Sequence, residues 1–256
     1  MEDEKKTFTG MKENHIEGRN AVLEAFRSGK TIDKLYVLDG CQDGPVRSIT
    51  REARKHDTIV NYVTKERLDQ ISETGKHQGV IAVSAAYDYA RVEDFLALAE
   101  KKGEPPFILI LDGIEDPHNL GAIIRTANQA GAHGVIIPKR RAVGLTPTVA
   151  RTSAGAVNYV PVAKVTNISN TMKELKDRGM WFVCADMDGT LMYDMDLTGP
   201  IGLVIGNEGD GVSPLVKKNC DMVASIPMKG DIDSLNASVA AGVLSYEIVR
   251  QRMKKG

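Results

Sequence analysis

The sequence predicts an α/β protein in two units: a small N-terminal α/β domain, then a larger domain built on a parallel sheet flanked by helices. Three observations point there. Short apolar runs alternate with amphipathic helical stretches along the chain, the pattern of strand–helix–strand units. One run, Phe107-Ile108-Leu109-Ile110-Leu111, is apolar without alternation, as befits a strand buried on both faces of a parallel sheet. Just before it, Gly103-Glu104-Pro105-Pro106 carries the composition of a boundary between units.

Taken in order, residues 1–12 are charged and read as a disordered tail. Residues 13–87 form the first domain. A helix over 17–28 puts Val22, Leu23 and Phe26 on one face and stops at Gly29. A strand over 34–38, a helix over 45–56, a strand over 58–63, a short helix over 65–71 and a strand over 80–86 complete it. Residues 88–106 read as a linker with a helical piece at 92–101. The second domain, 107–256, opens with the 107–111 strand. A helix follows over 120–130 with Asn119 as its N-cap. Then come a strand at 134–137, a short helix at 147–154 and strands at 159–162, 181–186, 203–205 and 223–226. A long helix over 235–253 ends the chain, with Leu235, Val239, Val243, Tyr246 and Val249 at helical spacing.

Composition narrows the function classes. Hydrophobic content of 42% and charged content of 26% over 256 residues are ordinary for a globular chain. The net charge of −1 means that any nucleic-acid contact uses local patches rather than a bulk positive field. Cys41, Cys184 and Cys220 are scattered and odd in number, which fits a reducing compartment without a disulfide framework. The histidines share no metal-site spacing with them, so no metal is expected. The first residues lack the apolar core of a signal peptide, and no run approaches a membrane span. A cytoplasmic location without membrane association is the expectation.

Two strand exits carry the chemistry. The run ending at Ile205 breaks into Gly206-Asn207-Glu208-Gly209-Asp210-Gly211, and the run ending at Ile226 breaks into Pro227-Met228 before the last helix. Ligands of open α/β sheets bind at the carboxyl ends of strands, so the two exits read as halves of one ligand site. The glycines permit close approach of backbone to ligand. They match neither a dinucleotide fingerprint nor a phosphate-binding P-loop, and Glu208 argues further against phosphate. Ser238, Ala240, Ala241 and Gly242 keep the first turns of the last helix narrow, as packing against a loop or a second subunit requires. In the first domain, the polar turn 73–79 presents Lys76, His77 and Gln78 to phosphate or base edges, and Arg19 and Asn20 at a helix start can join them. An exposed turn with incidental charge is the competing reading. Lys139-Arg140-Arg141 after a strand suits phosphate contact and equally an ordinary surface. The segment Ala185-Asp186-Met187-Asp188-Gly189-Thr190 resembles the first motif of haloacid-dehalogenase-type phosphatases, but little chain remains after it for the rest of such a site. Ala185 and Asp186 still end a strand beside the proposed pocket.

Three motifs in order make the resemblance specific. They are Asn119-Leu120-Gly121-Ala122-Ile123-Ile124-Arg125, then Ile205-Gly206-Asn207-Glu208-Gly209-Asp210-Gly211, then Ile226-Pro227-Met228 with Ser234-Leu235-Asn236-Ala237-Ser238-Val239-Ala240. Together they resemble the SpoU (TrmH-type) RNA ribose methyltransferases of the SPOUT superfamily, closest to the RlmB-like enzymes that modify a guanosine of bacterial 23S rRNA. The segment from His15 to Ala25 and the Lys76-His77-Gln78-Gly79 turn resemble the RNA substrate-binding domain fused to many of them. The resemblance implies a deep C-terminal trefoil knot, which no sequence pattern predicts. It also implies a homodimer with a shared active site, S-adenosylmethionine as cofactor, and a structured RNA as substrate, with large-subunit rRNA first and tRNA as the alternative; a non-catalytic RNA-binding or ribosome-assembly role is the competing class. The implied catalytic residues are Arg125, Asn119, Glu208, Ser234 and Asn236. Arg125 acts on the ribose 2′-hydroxyl, Asn119 orients it or the ribose, and Glu208 pairs with Arg125 or fixes the glycine loop. The implied cofactor residues are Gly206, Asn207, Gly211, Ile226, Met228, Leu235 and Ser238, with Ala185 from the neighbouring strand end. Arg19, Lys76, His77, Gln78, Arg140 and Arg141 are the implied RNA contacts.

Overall fold

The computed structural model describes residues 14–231 and 234–255; the expected tail over 1–12 lies outside them. The chain divides into two units: residues up to Tyr87 together with Leu145–Thr148, and Asp88–Gly144 with the residues from Val149 onward.

The first unit carries β1 (His15–Glu17), α1 (Arg19–Arg27), β2 (Ile32–Leu38), α2 (Gly44–Lys55), β3 (Ile59–Val63), α3 (Lys65–Ile71) and β4 (Val80–Ser84). Its sheet runs β1-β4-β2-β3, with β2 parallel to β3 and antiparallel to β4. Helix starts follow local capping chemistry. Asp43 accepts from the Val46 N–H at 3.1 Å to begin α2, with a proline in its first turn, and Thr64 accepts from the Arg67 N–H at 3.3 Å to begin α3. The apolar face of α1 (Val22, Phe26) closes on Leu35 and Val37 of β2 and Ile49 of α2. β1 is absent from the sequence reading because three residues are too few to show alternation.

The second unit begins with α4 (Val92–Lys102). The expected linker 88–106 is therefore corrected: it packs as part of this unit. Phe95 and Ala99 are fully buried, and Gly134 leaves the space for Phe95, since a Cβ there would lie 2.4 Å from its ring. Ala90 bridges Ala163 at the sheet edge. β5 (Phe107–Asp112), α5 (Pro117–Gln129), β6 (Gly134–Pro138), α6 (Pro147–Thr152) and β7 (Val162–Val165) follow. Then come α7 (Ile168–Lys176), β8 (Trp181–Leu191), β9 (Ile201–Gly206), α8 (Pro214–Lys218), β10 (Met222–Ser225) and α9 (Ala237–Lys255). The sheet order is β10-β8-β9-β5-β6-β7, with every pair parallel. After β5 the chain winds toward β7, and after β9 it winds toward β10. The order thus switches between β5 and β9, where Asp112 stands opposite Gly206. A crevice opens at such a point.

Four local expectations change. α5 starts at Pro117, and Asp116 caps it by accepting from the His118 N–H at 2.9 Å. Asn119 is therefore inside the first turn and buried, with its side chain free for the site. The strand expected over 159–162 is instead a 3₁₀ turn at Ala156–Asn158 followed by β7, and Tyr159 is exposed. α7 and α8 add two helices. α9 begins only at Ala237, leaving 234–236 as a loop.

Candidate functional site

A cavity of 340 Å³ lies at the carboxyl ends of β8, β9 and β10, within the ordinary size range of small-ligand pockets. Both strand exits line it, as expected. Gly206, Asn207 and Gly211 come from one exit, Ile226 and Met228 from the other, with Leu235 before α9 and Ala185 at the end of the regular part of β8. Glu208 and Ser234 line it as well. Ser238 does not. Its hydroxyl and N–H both donate to the Asn236 side-chain oxygen, at 2.6 and 2.9 Å, so Asn236 and Ser238 form the cap of α9.

The glycine loop is shaped by backbone approach. A Cβ at Gly206 would lie 2.0 Å from the carbonyl carbon of Gly211, so only glycine fits where the loop folds back on the strand end. The Asn207 side-chain oxygen accepts from the N–H groups of Gly209 (2.9 Å) and Asp210 (2.6 Å) and holds the turn. Asp112, at the end of β5, accepts from the Ser213 N–H at 2.8 Å and fixes the loop's far end. At the pocket, through Glu208, the three motifs meet in one network. The Asn119 amide donates to Glu208, and the Asn236 amide donates to Asn119 Oδ1 and Glu208 Oε1, each at 3.1 Å.

Arg125 is not in that network. It is exposed on α5 with no hydrogen-bonding or ion-pair partner among the described residues, so the expected pairing with Glu208 or Asn119 is not formed. Six residues on an α-helix turn through about 240°, which takes Arg125 off the face that Asn119 presents to Glu208. Arg140 and Arg141 are exposed after β6, and Arg141 lines the open cleft on the other side of the glycine loop, beside Asp112 and Glu208.

The first unit sorts its candidates differently. Lys76 is exposed. Arg19 is bound into the domain: its guanidinium pairs with Asp43 at 2.7 Å and donates to the Gln78 carbonyl at 3.0 Å, while the Gln78 side chain accepts from the Arg19 N–H at 3.2 Å. His77 is a correction. It is buried, its Nε2 lies 2.9 Å from Asp69, and its Nδ1 accepts from the Gly79 N–H at 3.0 Å. Its ring holds the turn from inside. Sequence reading also missed Lys217, whose ammonium sits 2.6 Å from Asp186 at the pocket wall; a lysine in a short helix gives no signal by itself. The Lys217 ammonium, outweighing partial burial, holds the Asp186 carboxyl below its usual range.

The pocket's lining is apolar at Ile205, Ala224, Ile226, Leu235, Ala237 and Ala240 and carries the carboxylates Asp186, Asp188 and Glu208. An apolar slot with backbone groups at its glycine loop and carboxylates in its lining suits an adenosine bearing a cationic sulfonium, so the residues present fit S-adenosylmethionine. Sheet, switch point and pocket define the class: a parallel α/β domain that holds a nucleoside-like ligand at its strand ends. The chain belongs to the SpoU rRNA Methylase family, whose model matches residues 106–246, and the RNA 2′-O ribose methyltransferase substrate-binding model matches residues 15–90. It is 48% identical over 244 residues, 95% of this chain and 98% of the relative, to YacO of Bacillus subtilis (strain 168), named as a TrmH family tRNA/rRNA methyltransferase. Among solved structures it resembles the SpoU methyltransferase AviRb from Streptomyces viridochromogenes in complex with AdoMet, at TM-score 0.60 and 27% identity over 94% of this chain and 90% of that one. It also resembles the AdoMet-bound rRNA methyltransferase from Sinorhizobium meliloti, at TM-score 0.58 and 25% identity over 93% and 87%. The protein is an S-adenosylmethionine-dependent RNA methyltransferase of the SpoU/TrmH type. The family model spans the Asp186–Asp188 segment, which removes the phosphatase alternative.

Proposed function

We propose that this enzyme methylates a ribose 2′-hydroxyl in structured RNA, with a guanosine of bacterial large-subunit rRNA as the target. The observation that carries the reading is the network joining Asn119, Glu208 and Asn236, one residue from each motif, at the pocket that Glu208 lines. The substrate-binding match over 15–90 supports the 2′-oxygen as the acceptor.

When bound, S-adenosylmethionine supplies an electrophilic methyl group. Gly206, Ile226 and Leu235 hold the adenosine; Asn207 and Gly211 keep the loop open to it; Ala185 and Met228 close the sides. Glu208, fixed by Asn119 and Asn236, keeps the glycine loop in register, and Ser234 meets the ribose. Holding oxygen, carbon and sulfur in line contributes up to ~7–11 kcal/mol. Arg125 acts as a cation that stabilises the developing alkoxide. Because it points away from its own network, it works across a dimer. α9 exposes Val239, Tyr246 and Met253, seven residues apart on one stripe, and α9 packs beside α5, the helix that carries Arg125. Two such stripes pair to make the homodimer. The trefoil knot belongs to the same reading: β10 ends at the sheet edge, yet α9 returns to the centre against β9 and α5, and Ile226, Met228, Ser234 and Leu235 line the same pocket as the 206–211 loop. Lys76, Gln78, Arg140 and Arg141 contact RNA phosphates, and Arg19 shapes the turn.

The test is methyl transfer from labelled S-adenosylmethionine to unmethylated bacterial total RNA, mapped by mass spectrometry, for wild type and Arg125→Ala. Label is expected on one large-subunit guanosine ribose. Arg125→Ala is expected to fall by roughly 10²–10⁴-fold while its affinity for S-adenosylhomocysteine is unchanged. Label on tRNA overturns the substrate, and label on a base overturns the reaction.

A further inference from the structure

We infer that the Asp186–Lys217 ion pair is a built hydroxyl-recognition site, reading one hydroxyl of the cofactor's ribose. The inference rests on the assignment of the 340 Å³ cavity to the cofactor.

The pair owes its position to an irregularity in the sheet. β10 pairs with β8 through Val223 and Cys184, and its next residue, Ala224, pairs with Thr190. Residues 185–189 therefore leave the ladder, and 185–188 line the cavity. The excursion is closed at its base, where the Ser225 hydroxyl donates to the Gly189 carbonyl at 3.0 Å. Gly189 is confined there, because a Cβ would lie 2.5 Å from the Val223 carbonyl oxygen. Asp186 caps the loop from within, accepting from the Asp188 N–H at 3.1 Å through Oδ1, and Oδ2 accepts from Lys217 at 2.6 Å. Both residues line the cavity, as do the apolar Ala224 and Ile226.

The chemistry selects the ligand group. A carboxylate has about four acceptor sites and an ammonium three donors, so the pair still offers an acceptor beside a donor. A hydroxyl both donates and accepts, and it satisfies the two together. The pair is electrically balanced. A lone cation would be repelled by Lys217, and a lone carboxylate by Asp186. A zwitterionic amino-acid end would have to prise apart a 2.6 Å contact. Asp188 and Glu208 remain in the lining for positive charge. The apolar residues of the same cavity suit a nucleobase, and the ribose is the group joined to it.

The test measures binding by calorimetry, with no turnover. The probes are S-adenosylhomocysteine, 5′-methylthioadenosine, which lacks the amino-acid end, and the 2′-deoxy and 3′-deoxy forms of 5′-methylthioadenosine. Wild type is expected to bind one deoxy form about tenfold or more weakly than the parent, the usual scale for a hydrogen bond to a charged group. Asp186→Asn/Lys217→Met, which removes both charges together, is expected to bind the parent and that deoxy form within about threefold of each other. Lys217→Arg is expected to keep the discrimination. Thermal melting of each variant identifies one that has lost its fold, and Asp186→Asn alone then serves as the second variant. Discrimination that survives in the double variant overturns the inference. So does a double variant weakened for S-adenosylhomocysteine but not for 5′-methylthioadenosine, which would place the amino-acid end at the pair. Failure of the underlying assignment looks different: wild type would bind none of the probes, or Leu235→Arg in the apolar lining would bind all of them normally.

Discussion

Glu17 accepts hydrogen bonds from the backbone of Glu73 and Thr74 and from the hydroxyls of Ser72 and Thr74, tying β1 to the turn that presents Lys76. Burial alone would raise its pKa; the donors from Thr74, Glu73 and Ser72 together outweigh burial and hold it at about 2 against an ordinary 4.5. A depressed carboxyl stabilises the fold above its unfolded pKa and stops doing so as pH falls through the folded one. The first unit is therefore expected to lose about 1–2 kcal/mol, after solvent screening, between pH 4.5 and 2. Amide hydrogen exchange in β4 should show this slope in wild type and lack it in Glu17→Gln; equal slopes would refute the assignment. His77 belongs to the same scale. It was legible as a polar residue in a polar turn, but not as a buried one. Its two ring nitrogens face Asp69 and Gly79, contacts that depend on how α3 lies against the turn. His77→Ala is expected to destabilise the first unit by about 1–3 kcal/mol, seen as a lower melting temperature. Lys76→Ala should leave melting unchanged and weaken RNA binding in a filter assay. If the two variants behave alike in melting, His77 is not the internal brace of the turn.

Among the elements, the strands of the second unit were the most legible, because a strand covered on both faces is apolar throughout and needs no partner to be seen. Helix starts were less so. Asn119 is a good cap residue by type, but Asp116, three residues earlier and followed by Pro117, takes the role, which frees the Asn119 side chain for Glu208. Residues 88–106 carry linker composition at their end, yet Phe95 inserts into the space left by Gly134; the glycine that makes room lies far along the chain. The glycine loop was recognisable, but its cause was not. Gly206 is required by the Gly211 backbone rather than by a positive φ. Gly206→Ala is expected to displace the loop, with about 1–3 kcal/mol of destabilisation and at least tenfold weaker S-adenosylhomocysteine binding by calorimetry. An alanine variant with wild-type affinity would show that the loop has room to move.

At the level of the whole molecule, the proposed role of Arg125, which lies exposed outside the pocket lining, depends on the proposed pairing of two copies. Tyr246 stands half exposed in the middle of the apolar stripe of α9, with Val239 and Met253 a helical repeat to either side. Single exposed apolar residues are common; their spacing on one helix is what the proposed dimer would use. Tyr246→Glu is expected to convert a dimer into a monomer in sedimentation equilibrium. It should lower methyl transfer to the level of Arg125→Ala while S-adenosylhomocysteine binding is retained. A monomeric variant with full activity would place Arg125 in its own subunit's site.

The sequence by itself determined the two-unit α/β plan, the strand exits and the three motifs. These rest on properties that a short segment carries alone: apolar periodicity, glycine at a strand end, small residues at a helix start. Only the tertiary structure decided which side chains meet. Asn119 and Glu208 are separated by 89 residues, and Asp186 and Lys217 by 31. Whether such pairs touch depends on strand order, on the excursion of β8 and on where each helix begins. The same packing turned Arg125 outward and His77 inward, since the direction of a side chain is set by the elements around it and not by its neighbours in the chain.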